Sequence, residues 1–395
     1  MPKGATRGIG TDVAANGAIA IGNYDFRSSG TVAKSIEIAT AAVEAGLPAE
    51  LWVMRASGPL RERVPLNVPV VEVGSGWKAK SRAADLALSV LSLGKALRQR
   101  RPSLFLSGGN HLHLPARFAL GISGQRGRIR YGVRASNSSA RPGRRAHHAE
   151  MLFWDRIKYQ GTDFVVAVSR DLAEEVRCSL PAMDVEFIPN GVDIGRVRQL
   201  ASEPFQHPFL AERQGNRPVI AAMGRICQQK GFDILIKALA CLHPDVRARL
   251  LVIGDGKESD IDKLRGLAKE QNVAEDVDFI GYLPNPFAAM SKADLFVSAS
   301  RWEGASNALN EALVCGLPIV ATDCPTGNRE ALKDGEYGTL VPIENPPALA
   351  KGVLTELSIG KRKGVKEKVS VELDLRSRLN DWVKLLAYEQ AVAGK

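Results

Sequence analysis

The sequence has 395 residues, 45% of them hydrophobic and 24% charged, with a formal net charge of +10. This is the composition of a globular chain that is long enough for two domains. No stretch of eighteen apolar residues occurs, the first ten residues lack the apolar segment of a secretory signal, and the five cysteines show no C-x-x-C spacing. These features argue against a membrane-spanning helix, a disulfide framework and a zinc site, and they predict a cytoplasmic protein.

The positive charge is concentrated in the first half of the chain. Residues 1–200 carry 28 Lys and Arg against 17 Asp and Glu, whereas the remainder carries 25 against 26. Between Lys78 and Arg145 there are fifteen basic residues and one acid, Asp85. Such a field favours anionic partners, namely phosphates, nucleic acid or a membrane surface.

Short apolar runs alternate with helical stretches along the first half. Strands are predicted at 17–25, 49–54, 68–73, 102–108, 164–169 and 185–190, and helices at 31–46 and 83–101. Near-continuous Val, Ile and Ala strands separated by helices are typical of a parallel sheet that is covered on both faces. The leucines of helix 83–101 fit either a core-facing helix or one that meets a bilayer, because apolar spacing alone does not separate the two.

The second half repeats this alternation. Strands are predicted at 218–224, 249–256, 277–283, 294–300 and 318–323, with helices at 231–242 and around 258–271. Two such runs predict an α/β protein with two doubly wound, Rossmann-like domains. The predicted boundaries are an N-terminal domain over 1–190, a C-terminal domain over 191–371, and a C-terminal helix over 372–395 that packs back on the first domain.

A glycine run near the start, Gly4-Ala-Thr-Arg-Gly8-Ile-Gly10, looks like the fingerprint of short-chain dehydrogenases. That motif requires a preceding strand, so that the turn presents a helix N-terminus to a pyrophosphate. Only three residues precede it, and no Tyr-x-x-x-Lys occurs in the chain. We therefore interpret the run as a tail, which disfavours a Rossmann oxidoreductase.

The stretch 301–332 places two glutamates, Glu303 and Glu311, around a run of small residues. A helix is predicted from Asn307 or Ala308 to Cys315, with Ser306 or Asn307 as N-cap and Gly316 at the C′ position. Glu303 then lies in the loop at the carboxyl end of a strand, where open α/β sheets bind ligands. Between the glutamates, a helix N-terminus offers N–H groups to a phosphate. A nucleotide-sugar fits this arrangement of acceptors around an anion-binding turn.

At these residues the chain resembles the family 4 glycosyltransferases of the GT-B fold, which carry an E-x7-E motif. The resemblance rests on Glu303-Gly304, Glu311-Ala312, Gly316-Leu317-Pro318, Gly224-Arg225, Lys230-Gly231, Gly254-Asp255-Gly256 and Asn190-Gly191-Val192-Asp193. It covers the second half almost completely and the first half more loosely. It implies two doubly wound domains facing a central cleft, and an enzyme that transfers sugars with retention and without a bound metal.

The resemblance also implies roles for residues on the donor side. Glu303 would hold hydroxyls of the donor sugar and Glu311 the nucleotide ribose, whereas Arg225 and Lys230 would clamp the diphosphate. The remaining predicted donor-binding residues are Gly224, Gly304, Ala305, Ser306, Asn307 and, across the cleft, Gly30. Because Glu303 is occupied by sugar hydroxyls in this scheme, it is not expected to act as a nucleophile.

The acceptor side departs from the family. Many relatives carry a histidine near the strand at 129–137, where this chain has Arg134 and Asn137. His111 and His113, which follow the predicted strand 102–108, are the nearest substitutes. These four residues are the acceptor-side candidates.

The sequence therefore predicts a retaining glycosyltransferase that moves a sugar from a nucleotide-diphosphate-sugar to an acceptor hydroxyl. The expected setting is bacterial cell-surface polysaccharide, lipopolysaccharide or glycolipid assembly, with a glycan or lipid-linked acceptor and no cofactor or metal. A contact of the basic first domain with anionic membrane, on the inner face of the cell membrane, is a further expectation. Nucleic-acid binding is not expected, because only Phe118 and Tyr131 interrupt the basic run at 117–145 as aromatic residues. A GT-B nucleotide-sugar epimerase and a non-catalytic sugar-binding or nucleic-acid-binding protein remain as alternatives.

Overall fold

The computed structural model of the chain describes residues 17–27, 29–74, 82–137, 147–211, 217–242 and 246–393. The glycine run at 4–10 lies outside these residues. Within them, no helix is both long enough and apolar enough to cross a bilayer.

Within the described residues, the first sheet has seven strands in the order β3-β2-β1-β4-β5-β6-β7. The strands are β1 (Ile19–Asn23), β2 (Ala49–Val53), β3 (Val70–Glu72), β4 (Leu104–Ser107), β5 (Arg130–Ala135), β6 (Phe164–Ala167) and β7 (Val185–Phe187). The helices of this part are α1 (Gly30–Glu44), α2 (Arg82–Arg100), α3 (His113–Ser123), α4 (His147–Tyr159) and α5 (Arg170–Ser179). The strand order reverses between β1 and β4, as in a doubly wound fold.

The second sheet repeats this pattern with six strands in the described part of the chain, in the order β10-β9-β8-β11-β12-β13. Its strands are β8 (Val219–Met223), β9 (Arg249–Ile253), β10 (Val277–Gly281), β11 (Leu295–Ser298), β12 (Ile319–Thr322) and β13 (Thr339–Val341). The helices are α6 (Ile194–Ala201), α7 (Pro208–Ala211), α8 (Phe232–Ala240), α9 (Glu258–Glu270), α10 (Pro286–Met290), α11 (Asn307–Cys315), α12 (Asn328–Ala331), α13 (Pro346–Ile359) and α14 (Val365–Glu372). They are followed in the chain by α15 (Leu375–Ala393), most of which belongs to the unit of the first sheet. The order reverses between β8 and β11.

The predicted fold class, α/β with two doubly wound Rossmann-like sheets, is confirmed. The strands are shorter than the apolar runs that predicted them, because ladder pairing stops where the chain turns into a loop. Helices α3 to α7, α10 and α12 to α14, and strand β13, were not predicted.

Each face of the second sheet supports its own core, because successive strand residues point to opposite faces. Ile220 of β8 packs with residues of α8 and α13, whereas its neighbour Val219 packs with residues of α11. Helix α11 is thereby fixed on one face, with its N-terminus directed to the carboxyl edge of the strands.

The chain divides into two compact units. One consists of the described residues within 1–134, 157–166 and 379–395, and the other of those within 135–156 and 167–378. In the first unit, the buried carboxylate of Glu389 on α15 pairs with the Arg130 guanidinium of β5. The predicted domain boundaries stay predictions.

Candidate functional site

The reversal point of the second sheet brings two loops together. Strands β8 and β11 are neighbours, with Leu295 opposite Ile220. At such a point the helices that follow the two strands lie on opposite faces of the sheet, which leaves a crevice at the carboxyl edge. The loop 224–231 follows β8 and the loop 299–306 follows β11. They contain the predicted site residues Arg225, Lys230 and Glu303, together with the predicted donor-binding residues Gly224, Gly304, Ala305 and Ser306.

The two loops touch at a glycine. Gly231 has a φ of +64°, and a Cβ there would lie 2.0 Å from the carbonyl oxygen of Ala299. A larger residue at position 231 would be strained in its backbone and would also push the loops apart. The Lys230-Gly231 pair of the sequence thus has a structural reason: the glycine lets the lysine approach the neighbouring loop.

Glu303 and Lys230 form an ion pair across these loops. Lys230 Nζ lies 2.6 Å from Glu303 Oε1, and the hydroxyl of Ser300 donates to the same oxygen at 2.7 Å. The Glu303 residue is only 3% exposed. A buried carboxylate requires such charge-assisted partners, because desolvation without them is costly.

The second oxygen of Glu303 is less engaged. Within the described residues its partner is Gln229, whose Nε2 is 3.5 Å away and lies closer, at 2.9 Å, to the carbonyl oxygen of Trp302. A carboxylate oxygen can accept two hydrogen bonds, so Oε2 retains capacity for a ligand hydroxyl. Burial, with the charge of Glu303 as a second cause, raises the pKa of the nearby Cys324 thiol. This thiol is therefore kept protonated beside the carboxylate.

Arg301 fastens the same two loops. Its guanidinium donates from Nη1 and Nη2 to the two oxygens of Asp233 on α8, at 2.8 and 2.7 Å, and from Nη1 to the carbonyl of Gln228. Burial opposes ionisation of Asp233, but hydrogen bonds from Arg301 outweigh it, so the pKa of Asp233 lies below its ordinary value of 3.8.

Replacement of Arg301 by alanine is expected to destabilise the protein by about 1–3 kcal/mol, because it removes charged hydrogen bonds from partly buried partners. The loss is fully present at neutral pH. It shrinks as pH falls through the lowered pKa of Asp233, below 3.8, where the carboxyl becomes protonated. Thermal unfolding at several pH values measures this. Arg265→Ala, which removes an exposed pair on α9, is the matched control and should leave the unfolding temperature unchanged.

The N-terminus of α11 borders the Glu303 loop. Ser306 is the N-cap, and its hydroxyl accepts from the backbone N–H of Leu309 at 3.4 Å. The side chain of Asn307 accepts from Asn190 at 2.9 Å. Since the first N–H groups of a helix have no partner within the helix, this end can bind an anion. The predicted helix bounds and the Ser306 cap are confirmed.

Gly304 lies where no side chain fits. A Cβ there would be 2.2 Å from the carbonyl oxygen of Ser136, and Asn137 pairs with Gly304 as an isolated antiparallel bridge. The predicted acceptor-side residue Asn137 is therefore placed next to the predicted donor loop. A side chain at position 304 could therefore not be accommodated without moving this backbone.

Glu311 lies in the second turn of α11 and is half-buried. It follows Asn307 by four residues, so the two share a helix face. Burial, and then the charge of Glu311, raises the pKa of Cys315 to about 12. The thiol one turn below Glu311 is thus neutral at ordinary pH.

Two family models match the chain. The model described as Glycosyltransferase Family 4 matches residues 30–196, and the model described as Glycosyl transferases group 1 matches residues 217–358. Together they cover the second sheet, both loops of the site, and the first sheet except β1. The chain belongs to the family 4 glycosyltransferases.

Curated relatives resemble parts of this family 4 chain. It is 32% identical over 232 residues to the N-acetylgalactosamine-N,N'-diacetylbacillosaminyl-diphospho-undecaprenol 4-alpha-N-acetylgalactosaminyltransferase of Campylobacter jejuni, which is 58% of this chain and 59% of the relative. It is 31% identical over 199 residues to the lipopolysaccharide core biosynthesis glycosyltransferase LpsE of Rhizobium meliloti, which is 50% of this chain and 55% of the relative. The chain thus spans between about half and three-fifths of the length of these relatives.

Among solved structures, HepE of Anabaena in complex with UDP and glucose superposes with a TM-score of 0.73 at 17% identity. The match covers 94% of this chain and 100% of HepE. At this identity the likeness shows the fold, which is GT-B.

Two of the predicted donor-side residues, Gly224 and Arg225, lie in the loop that follows β8. Arg225 is the second residue after β8, is exposed, and has no ion pair within the described residues. Gly224, before it, has a φ of +154°, and a Cβ there would contact the Lys230 side chain at 3.1 Å. Exposed Arg225 and Lys230, which pairs with Glu303, therefore belong to one loop.

The remaining candidates lie in the first compact unit. Gly30 opens α1 behind the N-cap Ser29, whose hydroxyl accepts from Val32 N–H. His111 is exposed in the turn before α3. Arg134 on β5 is buried, and burial lowers the pKa of its guanidinium to about 10, with Glu37 partly offsetting the effect.

His113 is completely buried. Its Nδ1 lies 2.7 Å from the Ser107 hydroxyl and its Nε2 3.2 Å from the Asn110 side-chain oxygen. Burial, and then the charge of Lys158, lowers the pKa of His113 to about 3, so the ring is neutral. In this structure both ring nitrogens make hydrogen bonds within the core, where α3 packs on β4. An acceptor-side role for His113 stays a prediction.

The sequence analysis did not single out Ser300 and Arg301. Ser300 follows β11 directly and could have been noticed as a polar residue at a strand end, but nothing in the sequence marks Arg301 as the partner of Asp233. Among the residues that the structure describes, no cluster of three or more His, Cys, Asp or Glu side chains could hold a metal ion.

Proposed function

We propose that this chain is a retaining, metal-independent glycosyltransferase that moves a sugar from a nucleotide-diphosphate-sugar to an acceptor hydroxyl. The observation that carries the proposal is the buried carboxylate of Glu303, which is held through Oε1 by Lys230 and Ser300 and keeps acceptor capacity on Oε2. A fixed, desolvated acceptor beside an anion-binding helix end suits a ligand that carries hydroxyls and a diphosphate.

The relatives support this substrate class. The names of the Campylobacter and Rhizobium proteins describe glycosyl transfer in undecaprenol-linked glycan and lipopolysaccharide core synthesis, and the HepE structure contains UDP and glucose. We propose the same setting here: a glycan or lipid-linked acceptor, used at the cytoplasmic face of a bacterial membrane.

In the proposed reaction, the bond between the anomeric carbon and the diphosphate oxygen breaks, and the diphosphate leaves with the electron pair. The acceptor oxygen forms a bond to the same carbon on the same face, and its proton passes to the departing diphosphate. Negative charge therefore grows on the diphosphate as the bond lengthens. Lys230, Arg225 and the N–H groups at the start of α11 supply the compensating positive charge.

Glu303 positions the sugar in this scheme and does not attack it. One of its oxygens accepts from an ammonium and a hydroxyl, which stabilises the carboxylate and lowers its tendency to form a covalent bond. Its less engaged oxygen, Oε2, accepts a sugar hydroxyl, which fixes the reacting carbon relative to the diphosphate.

Donor turnover tests the proposal. A thermal-shift screen with UDP, GDP, ADP and their sugars identifies the nucleotide, because a ligand that binds only the folded state raises the unfolding temperature. Release of the free nucleotide is then measured with the best donor in the presence of EDTA. Turnover that survives EDTA is expected. Turnover only with added Mn²⁺ or Mg²⁺ contradicts the metal-free scheme, free nucleotide with an epimerised sugar supports the epimerase, and binding without turnover supports a non-catalytic protein.

Glu311→Ala is expected to weaken nucleotide binding by about 10- to 100-fold, since hydrogen bonds to a charged group contribute about 1.5–3 kcal/mol. The turnover of bound donor should change little, because Glu311 contacts ribose and not the reacting carbon. Calorimetric titration with the nucleotide measures the affinity. A variant with unchanged affinity but lost turnover would reverse the roles assigned to Glu303 and Glu311.

A further inference from the structure

Helices α2 and α3 expose large apolar side chains to solvent. Leu88 and Leu91 on α2 are 43% and 69% exposed, and Phe118 and Ile122 on α3 are 61% and 54% exposed. Isolated apolar residues are common on protein surfaces, but a contiguous group of large ones marks an interaction site. We call these four residues the apolar crest.

The four residues lie on one surface because α2 and α3 pack closely at Gly94. A Cβ at this position would lie 2.8 Å from Ile122 Cγ1 and 3.1 Å from the carbonyl oxygen of Ala119. The glycine therefore lets the two helices approach without an intervening side chain. Leu93 and Leu97 of α2 are fully buried, so α2 divides its leucines between the core and the crest.

Basic side chains extend this surface. Lys95 and Arg98 follow Leu91 at the i+4 and i+7 positions of α2 and are exposed, and Arg126 and Arg128 are exposed in the loop after α3. Arg130 is not part of the group, because Glu389 and Asp163 engage its guanidinium.

Few acidic residues accompany these cations in the sequence. Asp85 is the one acid in the sequence between Lys78 and Arg145. It is buried, and it accepts hydrogen bonds from the Arg55 guanidinium at 2.9 and 2.7 Å. The hydroxyl of Tyr24 also donates to it. The crest is therefore flanked by cations whose sequence neighbourhood has no exposed carboxylate.

We propose that the apolar crest docks the protein on an anionic lipid bilayer, with Lys95, Arg98, Arg126 and Arg128 contacting the headgroups. The apolar side chains enter the boundary between headgroups and acyl chains, as in other interfacial helices. The cations are attracted to anionic lipid within a Debye length. A second copy of the chain is disfavoured as the occupant, because two such surfaces would bring like charges together. The inference rests on the proposed function to the extent that a lipid-linked acceptor is reached at the membrane.

Co-sedimentation with vesicles tests the surface. Wild-type protein is expected to pellet with vesicles of phosphatidylcholine and phosphatidylglycerol, and at least 10-fold less with phosphatidylcholine alone. Leu91→Gln/Phe118→Gln removes apolar insertion without altering charge, and should lose most of the bound fraction. Lys95→Gln/Arg98→Gln should lose most of the vesicle binding that high salt abolishes. The weak binding that persists in high salt should remain.

Matched substitutions control for exposure and charge. Leu66→Gln changes a fully exposed leucine outside the crest, and Lys269→Gln removes an exposed charge on α9. Both should pellet like wild type. Equal pelleting of wild type and the Leu91/Phe118 variant overturns the proposal, and so does the absence of wild-type binding to either vesicle. A lipid-free dimer that this variant dissociates, seen by analytical ultracentrifugation, also overturns it in favour of a self-interface.

Two further measurements separate this inference from the proposed function. Unfolding temperature shows whether each variant is folded, and nucleotide release from the donor in solution reports on the sugar-transfer chemistry without lipid. Turnover in solution without vesicle binding leaves the enzyme proposal standing and removes the docking surface. Vesicle binding without turnover leaves the docking surface standing and removes the enzyme proposal.

Discussion

Lys230→Ala is expected to reduce turnover by at least ~100-fold, because one preorganised donor at a developing negative charge contributes that much or more to the rate. Lys230 is close enough to matter in two ways: its ammonium pairs with Glu303 at 2.6 Å, and its loop lies at the reversal point of the sheet. Steady-state nucleotide release with the identified donor gives the rate. Lys269→Ala, an exposed lysine of α9, is the control and should behave like wild type.

The same substitution has a separate effect on stability. It leaves the buried carboxylate of Glu303 without its cation, which costs about 1–3 kcal/mol. The double variant Lys230→Ala/Glu303→Ala removes the unpaired charge as well, so its unfolding temperature should recover towards wild type. Its turnover should stay lost. Recovery of turnover together with stability would mean that the pair has only a structural role.

Arg225→Ala separates charge stabilisation from packing. Arg225 is exposed and makes no ion pair in the described part of the chain, so its removal should leave the unfolding temperature unchanged. A fall in turnover without a fall in stability would support its contact with the diphosphate. Arg301→Ala is expected to act the other way, with its main effect on the unfolding temperature and not on turnover.

Glu303→Ala is expected to reduce turnover by about 100-fold while nucleotide affinity stays close to wild type. In the proposed scheme the carboxylate holds the sugar, and loss of that hydrogen bond together with loss of orientation accounts for the size of the effect. Ribose and diphosphate contacts lie elsewhere in the proposed scheme. Titration with the free nucleotide and nucleotide release from the donor measure the two quantities separately.

Glu303→Gln is the conservative partner of this experiment. It keeps the volume and an acceptor oxygen but removes the charge that Lys230 neutralises. A rate between those of wild type and the alanine variant supports a positioning role. Near-wild-type turnover in Glu303→Ala would end the assignment of this residue.

Local signals in the sequence were sufficient for α11. Ser306 caps its N-terminus through the N–H of Leu309, and Gly316 ends it in a left-handed conformation with a φ of +75° before Leu317-Pro318. Capping and termination depend on residues within one turn of the helix end, so these bounds can be read without knowledge of the rest of the fold. The alternation of apolar strands and helices likewise predicted both doubly wound sheets, because its period is local.

The pairing within the site was decided by tertiary structure. Lys230 and Glu303 are 73 residues apart, and they meet because β8 and β11 are neighbours at the point where the strand order reverses. The sequence predicted that both residues lie at the ligand edge, but not that one neutralises the other. Strand order depends on how the crossovers pack, and no short segment encodes it.

The sequence by itself determined the class of fold, the ends of α11 and the presence of two carboxylates around the N-terminus of that helix, because each depends on neighbours a few residues away. Only the tertiary structure decided which side chains are buried. It placed His113 in the core with a neutral ring, and it divided the leucines of α2 between the core and the exposed crest. Apolar periodicity gives the direction of a side chain relative to its own helix, whereas burial depends on what the fold places against that face.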